Sequence, residues 1–132
     1  METNRRGTVL VVEDEPGVRD IAMQMLQFTG FAVIEAIDAK SGLEQFTKNP
    51  NIDLVFSDVI MPGGTSGIEM AKEMLAQKPN TLILLATGYS EKAEALVNKA
   101  SQSDNIAVVE KPYDINKIPK LIAAMIENAA AE

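Results

Sequence analysis

Five short apolar runs, set apart by stretches of helical period, constrain this chain more than any other feature. The runs are "TVLVV" (8–12), "FAVIEA" (31–36), "IDLVFS" (52–57), "TLILLA" (81–86) and "IAVVE" (106–110). They are rich in β-branched residues and nearly continuous in apolar character. That pattern suits strands of a parallel sheet covered on both faces. Between them, apolar residues recur at helical spacing. Val18, Ile21, Ala22 and Met25 mark a first helix, and Leu43 and Phe46 a second. The third opens on Ser66-Gly67-Ile68-Glu69, which fits a capping box, and runs through Ala71 and Leu75. Ala93, Leu96, Val97 and Ala100 mark a fourth, capped by Ser90. Ile118, Leu121, Ile122 and Met125 mark the last, with Pro119 in its first turn. Strand and helix alternating five times predict right-handed crossovers and a doubly wound α/β domain. One domain spans residues 1–132, with its core at about 8–126 and frayed ends at 1–7 and 127–132.

Composition narrows the chemistry. The net charge of −7 and the absence of histidine argue against binding nucleic acid through its phosphates. With no cysteine, disulfides, thiolate metal sites and thiol catalysis are excluded. No apolar run approaches the ~20 residues of a membrane span, and "METNRRG" lacks the apolar core of a secretory signal. The expected location is therefore cytoplasmic, without membrane insertion.

In doubly wound folds, ligands bind beyond the carboxyl ends of the strands. Glu13-Asp14-Glu15 follow the first strand, Asp58 the third, Thr87-Gly88 the fourth and Lys111-Pro112 the fifth. The second offers only Ile37-Asp38, which reads more simply as a helix cap. If the first and third strands are neighbours, Glu13, Asp14 and Asp58 converge. Unit charges ~4 Å apart repel by about 4 kcal/mol at an effective dielectric near 20, so the cluster must take up protons or bind a cation. An oxygen-only set of donors suits Mg²⁺ better than zinc or copper. Lys111 balances part of the charge and Thr87 supplies a hydroxyl. Together these are the parts that hold a phosphoryl group in transfer, with Asp58 supplying the attacking oxygen. Each has a plainer reading alone: a turn or cap for Asp58, a favourable helix N-terminus for the acidic run, a solvated charge for Lys111. It is their joint occurrence at four strand ends that carries the reading.

The ordered set "VLVVEDE", "DLVFSDVIMPG", "LLATGYS" and "VVEKPYD" resembles the receiver domain of bacterial two-component response regulators, over about Thr8 to Met125. The resemblance implies a flavodoxin-like (βα)5 three-layer sandwich with strand order 2-1-3-4-5. It implies that Asp58 is the phosphoacceptor, served by a histidine kinase or histidine phosphotransfer protein. Asp14, Asp58 and the backbone carbonyl of Ile60 would bind Mg²⁺ directly, and Glu13 mainly through a metal-bound water. Thr87 and Lys111 would bind phosphoryl oxygens, and the Lys111-Pro112 bond would be cis. Three departures stand out. The loop "VIMPGGTSG" is one residue longer than the common form. Val108 stands where the family often carries an aromatic switch. No output domain follows Lys111, and the opening methionine favours a single-domain regulator over a receiver excised from a hybrid sensor kinase.

Val108 is short and stiff at χ1, so the expected route of signalling runs through the backbone after Thr87, with Gly88 pliable and Tyr89 reporting the shift. A downstream protein partner would bind the face formed by the fourth predicted helix, the fifth strand and the last helix. Other classes fit less well. A phosphatase of the haloacid dehalogenase type needs a second acid two residues after Asp58, where Ile60 stands. A flavodoxin or nucleotide site needs glycines and hydroxyls in the first turn, which reads "EDEPG". A degenerate receiver would lack some of the five side chains that are all present here.

Overall fold

The computed structural model describes residues 6–61, 67–88 and 105–130. Five strands form one parallel sheet: β1 (Thr8–Val12), β2 (Ala32–Ala36), β3 (Leu54–Asp58), β4 (Leu82–Thr87) and β5 (Ile106–Glu110). The order is β2-β1-β3-β4-β5, as expected. Among the described residues there are four helices: α1 (Pro16–Phe28), α2 (Ala39–Lys48), α3 (Gly67–Gln77) and α4 (Ile118–Ala130). The helix expected over Ala93–Ala100, with its cap Ser90, lies outside the described residues, as do Ser66 and Pro62-Gly63-Gly64. None of the helices found is long and apolar enough to cross a membrane.

Alternation along the strands builds two cores, one on each face of the sheet. Leu10, Val12, Val55, Ile83 and Leu85 pack with Phe46 of α2 and Met70 and Met74 of α3. Val9, Val11, Leu54, Phe56, Leu84 and Ala86 pack with Ala22 and Leu26 of α1 and Ile118 and Ile122 of α4. This is the three-layer sandwich. The stripe on α1 differs from the expected one. Ala22 and Leu26 are buried, whereas Ile21 is 57% exposed.

Local chemistry sets the element ends. Asp38 caps α2 by accepting from the Ser41 N–H (2.8 Å), and the Ser41 hydroxyl in turn accepts from the Asp38 N–H (3.2 Å). Pro119 is buried in the first turn of α4. α1 ends in a Schellman motif: the Phe31 N–H donates to the Leu26 carbonyl and the Gly30 N–H to that of Gln27. The motif needs the left-handed conformation of Gly30, at φ 103°.

At Gly67, α3 starts against the end of β3. Its N–H donates to the Val59 carbonyl (2.6 Å), and a Cβ there would run into the backbone carbonyl of Asp58. Gly67→Ala should therefore push α3 away from β3, lowering stability by about 1–3 kcal/mol. Urea unfolding of the two proteins measures this; equal midpoints would contradict it.

Candidate functional site

Period-two alternation places the main charged groups together. Val9 and Val11 of β1, Leu54 and Phe56 of β3, and Val109 of β5 all face α1 and α4. Continuing each alternation puts Glu13, Asp58 and Lys111 on that same side, at the carboxyl edge. Register completes the convergence. Val12 pairs with Ser57, so Glu13 and Asp58 occupy the next rung, and Asp58 itself pairs with Ala86 of β4. Asp58 is thus the last residue of β3 rather than the first beyond it, and Thr87 likewise closes β4.

Carboxylate oxygens of Glu13, Asp14 and Asp58 all lie within 4.8 Å of one another. Glu13 and Asp58 are buried, at 5% and 6% exposure. The Lys111 ammonium sits 2.7 Å from Asp58 Oδ1. The Lys111-Pro112 bond is cis, as expected, and the Lys111 N–H donates to the Thr87 carbonyl (2.7 Å). Thr87 is buried, and its hydroxyl donates to the Gly88 carbonyl (3.2 Å). Ile60 lies just past the site and is exposed, two residues beyond Asp58. Gly88 is exposed, and among the described residues a Cβ there would meet nothing within 4 Å. Val108 is partly buried and packs against the α2–α3 core. Tyr89 lies outside the described residues.

The electrostatics follow from crowding. Burial, then the hydrogen bond and charge of Asp58, raise the Glu13 carboxyl from 4.5 to about 7, although the Glu15 N–H and Lys111 pull it down. For Lys111, burial opposes the charge, but the hydrogen bond to Asp58 and the charges of Asp58 and Glu13 outweigh it, so its pKa is raised. Three converging carboxylates and no softer donor fit a hard divalent cation such as Mg²⁺. A neighbouring ammonium makes the same edge a place for phosphoryl oxygens.

Sequence reasoning missed three participants. Tyr113 stacks edge-on against Phe56, with centroids 5.8 Å apart. It lines a small cavity with Glu13 and Asp58, and burial and then the Asp58 charge raise its phenol pKa. The "KPY" order was its only signal. Ile21 joins Val18, Pro112 and Ile115 in a groove that reaches Lys111 and Gly88. Arg19 donates to the Glu13 carbonyl (2.8 Å), a contact that residue spacing does not announce.

Comparison with known proteins agrees with this geometry. The family model described as response regulator receiver domain matches residues 9–123. The chain is 30% identical over 121 residues to a cyclic di-GMP phosphodiesterase of Thermotoga maritima, covering 92% of this chain and 31% of that protein. It is 31% identical over 124 residues to the transcriptional regulatory protein FixJ of Bradyrhizobium diazoefficiens, covering 94% and 58%. Thus the chain spans less than two thirds of either relative. Among solved structures, the receiver domain from the hybrid histidine kinase CckA superposes with a TM-score of 0.74 at 27% identity, covering 91% of this chain and 99% of that one.

The raised Glu13 pKa has a signed consequence. Between about pH 4.5 and about pH 7, the folded chain holds a proton that the unfolded chain has released. Stability of the metal-free protein should therefore fall as pH rises through that window. Glu13→Gln should remove this contribution. Urea unfolding in a chelator from pH 5 to 8 measures both; an identical slope in the variant would refute the assignment.

Proposed function

The chain belongs to the response regulator receiver domain family, and from that premise we propose that it is a phosphorylation-controlled signalling domain with Asp58 as phosphoacceptor. The observation that carries this reading is the buried Asp58 carboxylate at a strand end, 2.7 Å from the Lys111 ammonium and beside Glu13 and Asp14. A carboxylate held this way is presented in one orientation, which favours in-line attack.

In the proposed reaction, an Asp58 oxygen attacks the phosphorus of a phosphohistidine on a histidine kinase or phosphotransfer protein. A P–O bond forms, the P–N bond breaks, and the imidazole leaves with the electron pair and takes a proton. Lys111 is close enough to Asp58 to pair with an oxygen of the incoming group. Thr87, on the neighbouring strand end, exchanges its bond to the Gly88 carbonyl for another phosphoryl oxygen. Glu13, Asp14 and Asp58, with the Ile60 carbonyl, would hold Mg²⁺, which offsets charge on the transferring group. The apolar groove of Val18, Ile21, Pro112 and Ile115 borders Lys111 and gives the donor protein a surface to approach along. The chain is a phosphoacceptor and assists only its own phosphorylation and dephosphorylation; it is not an enzyme of turnover, and we place it in the cytoplasm beside its donor. The reading applies equally to a single-domain regulator and to the receiver of a hybrid kinase.

Incubation with Mg²⁺ and acetyl phosphate, followed by intact mass, should show one acid-stable, base-labile phosphate. Asp58→Asn should abolish it and leave the fold intact; undiminished labelling of the variant would sink the assignment.

The output is proposed to leave through Thr87. Thr87 is the last residue of β4, whose Ile83 and Leu85 face the same side as Val108, toward α2 and α3. Val108 has no large rotamer to swing, so the change runs through the backbone at Gly88 toward the face that β5, α4 and the segment predicted as helical at 90–100 present to a protein partner. A Cβ at Gly88 meets no neighbour among the described residues, and Gly88 is not among the described glycines of positive φ. Gly88→Ala should therefore fold with unchanged or slightly raised stability, by about 0.4–1 kcal/mol, while reducing the amide shifts that a fluoroberyllate mimic induces in β5 and α4. Unreduced shifts would place the route elsewhere.

A further inference from the structure

Arg19 has no part in the chemistry just described, yet its guanidinium joins three elements at the edge of the acidic site. It rises from the first turns of α1, where its own N–H donates to the Glu15 carbonyl (2.9 Å). Its Nη1 donates to the Glu13 carbonyl at 2.8 Å. Its Nε donates to Glu35 Oε1 of β2 at 3.0 Å. The Arg19 side chain is 13% exposed, against 53% for Glu35. The fork is therefore largely shielded and has two fixed acceptors, the arrangement that suits arginine over lysine.

The Glu13 carbonyl belongs to the peptide unit that joins Glu13 to Asp14. That unit is planar, so one bond to its oxygen restrains the orientation of the segment from which both carboxylates hang. The other bonds complete the restraint. The Glu13 N–H donates to the Ala36 carbonyl (3.0 Å), extending the β1–β2 ladder. Glu13 Oε2 accepts from the Glu15 N–H (3.1 Å). The Glu13 backbone is thus held at both its N–H and its carbonyl, and the Arg19 side chain holds the carbonyl, where the chain turns out of the sheet.

We propose that Arg19 is a positioning residue for the divalent-cation site: by fixing the Glu13–Asp14 peptide it holds both carboxylates toward Asp58 and so sets the affinity for the cation. This rests on reading Glu13, Asp14 and Asp58 as that site. The sign of the effect separates positioning from charge. A guanidinium beside a cation site repels the cation, so its removal by charge alone would tighten binding. Loss of positioning weakens binding, and supporting partners of this kind change metal affinity about tenfold or more.

The experiment is a titration with Mn²⁺, followed by the loss of the free-ion signal in electron paramagnetic resonance and requiring no phosphorylation. Wild type, Arg19→Ala and Arg19→Lys are compared at a temperature below the chelator-treated melting point of each. Arg19→Ala should bind about tenfold more weakly. Arg19→Lys should fall between the two, because it keeps the charge but not the fork. Tighter or equal binding by Arg19→Ala overturns the inference while leaving the functional reading in place. Equal binding by Arg19→Lys and wild type, with Arg19→Ala weakened, also overturns the two-acceptor clamp. Failure of wild type itself to bind Mn²⁺ overturns the cation-site reading and the inference together.

Discussion

The parallel register of β1 and β3 forces buried carboxylates into one place, and much of the carboxyl edge answers to that constraint. Glu13 and Asp58 cannot separate without slipping a ladder that also buries Val9, Val11, Leu54 and Phe56. A slip of one residue would turn all of them to the wrong layer. The repulsion is met where it arises. The Lys111 ammonium lies against Asp58, and Glu13 takes a pKa near neutrality. Breaking a buried pair by removing one partner is expensive, so the ion pair keeps Lys111 turned inward without needing to be a large net source of stability.

Rigidity and access are divided between the two sides of this edge. Gly67 lets the start of α3 lie directly on the Asp58 carbonyl, and Tyr113 closes over Phe56. The Ser57 hydroxyl donates to the same Asp58 carbonyl (2.9 Å). The backbone of Asp58 is thereby crowded from several directions. Toward α1 the wall is different: Val18, Ile21, Pro112 and Ile115 leave a groove. The proposed transfer from another protein would need both properties, because a loosely held oxygen reacts poorly and a fully enclosed one is never reached.

What was legible in the sequence follows the range of the interactions. The alternation of strands and helices and the Asp38 cap depend on periodicity and short spacing, whereas the strand order, which brings the acids together, followed from the family resemblance; all appear as expected. Strand ends moved by a residue or two, so that Asp58 and Thr87 close their strands. That is the usual limit of reading boundaries from composition, since ladders continue wherever a partner remains. Ile21 was placed in the core because apolar residues at helical spacing normally face inward. Here it borders the groove, and no periodicity distinguishes the two uses. The contacts of Gly67 with Asp58 and of Arg19 with Glu13 were invisible for another reason. They are made to backbone carbonyls, which every residue has, so no pattern of side chains marks them.

The same alternation that gathers Asp58 and Lys111 also separates them from Val108. Asp58 and Lys111 continue the positions that face α1 and α4, whereas Val108 packs on the face toward α2 and α3. A change that begins on the Asp58 carboxylate must therefore cross the sheet to reach Val108. The cheapest crossing lies at the strand ends, where the ladder stops and the backbone is free to move. Thr87 is the last residue of β4, and its carbonyl accepts from the Lys111 N–H. Thr87 thus touches the backbone of Lys111, whose ammonium lies against Asp58. With a small β-branched residue at 108, that backbone link is the route the proposed signal would take.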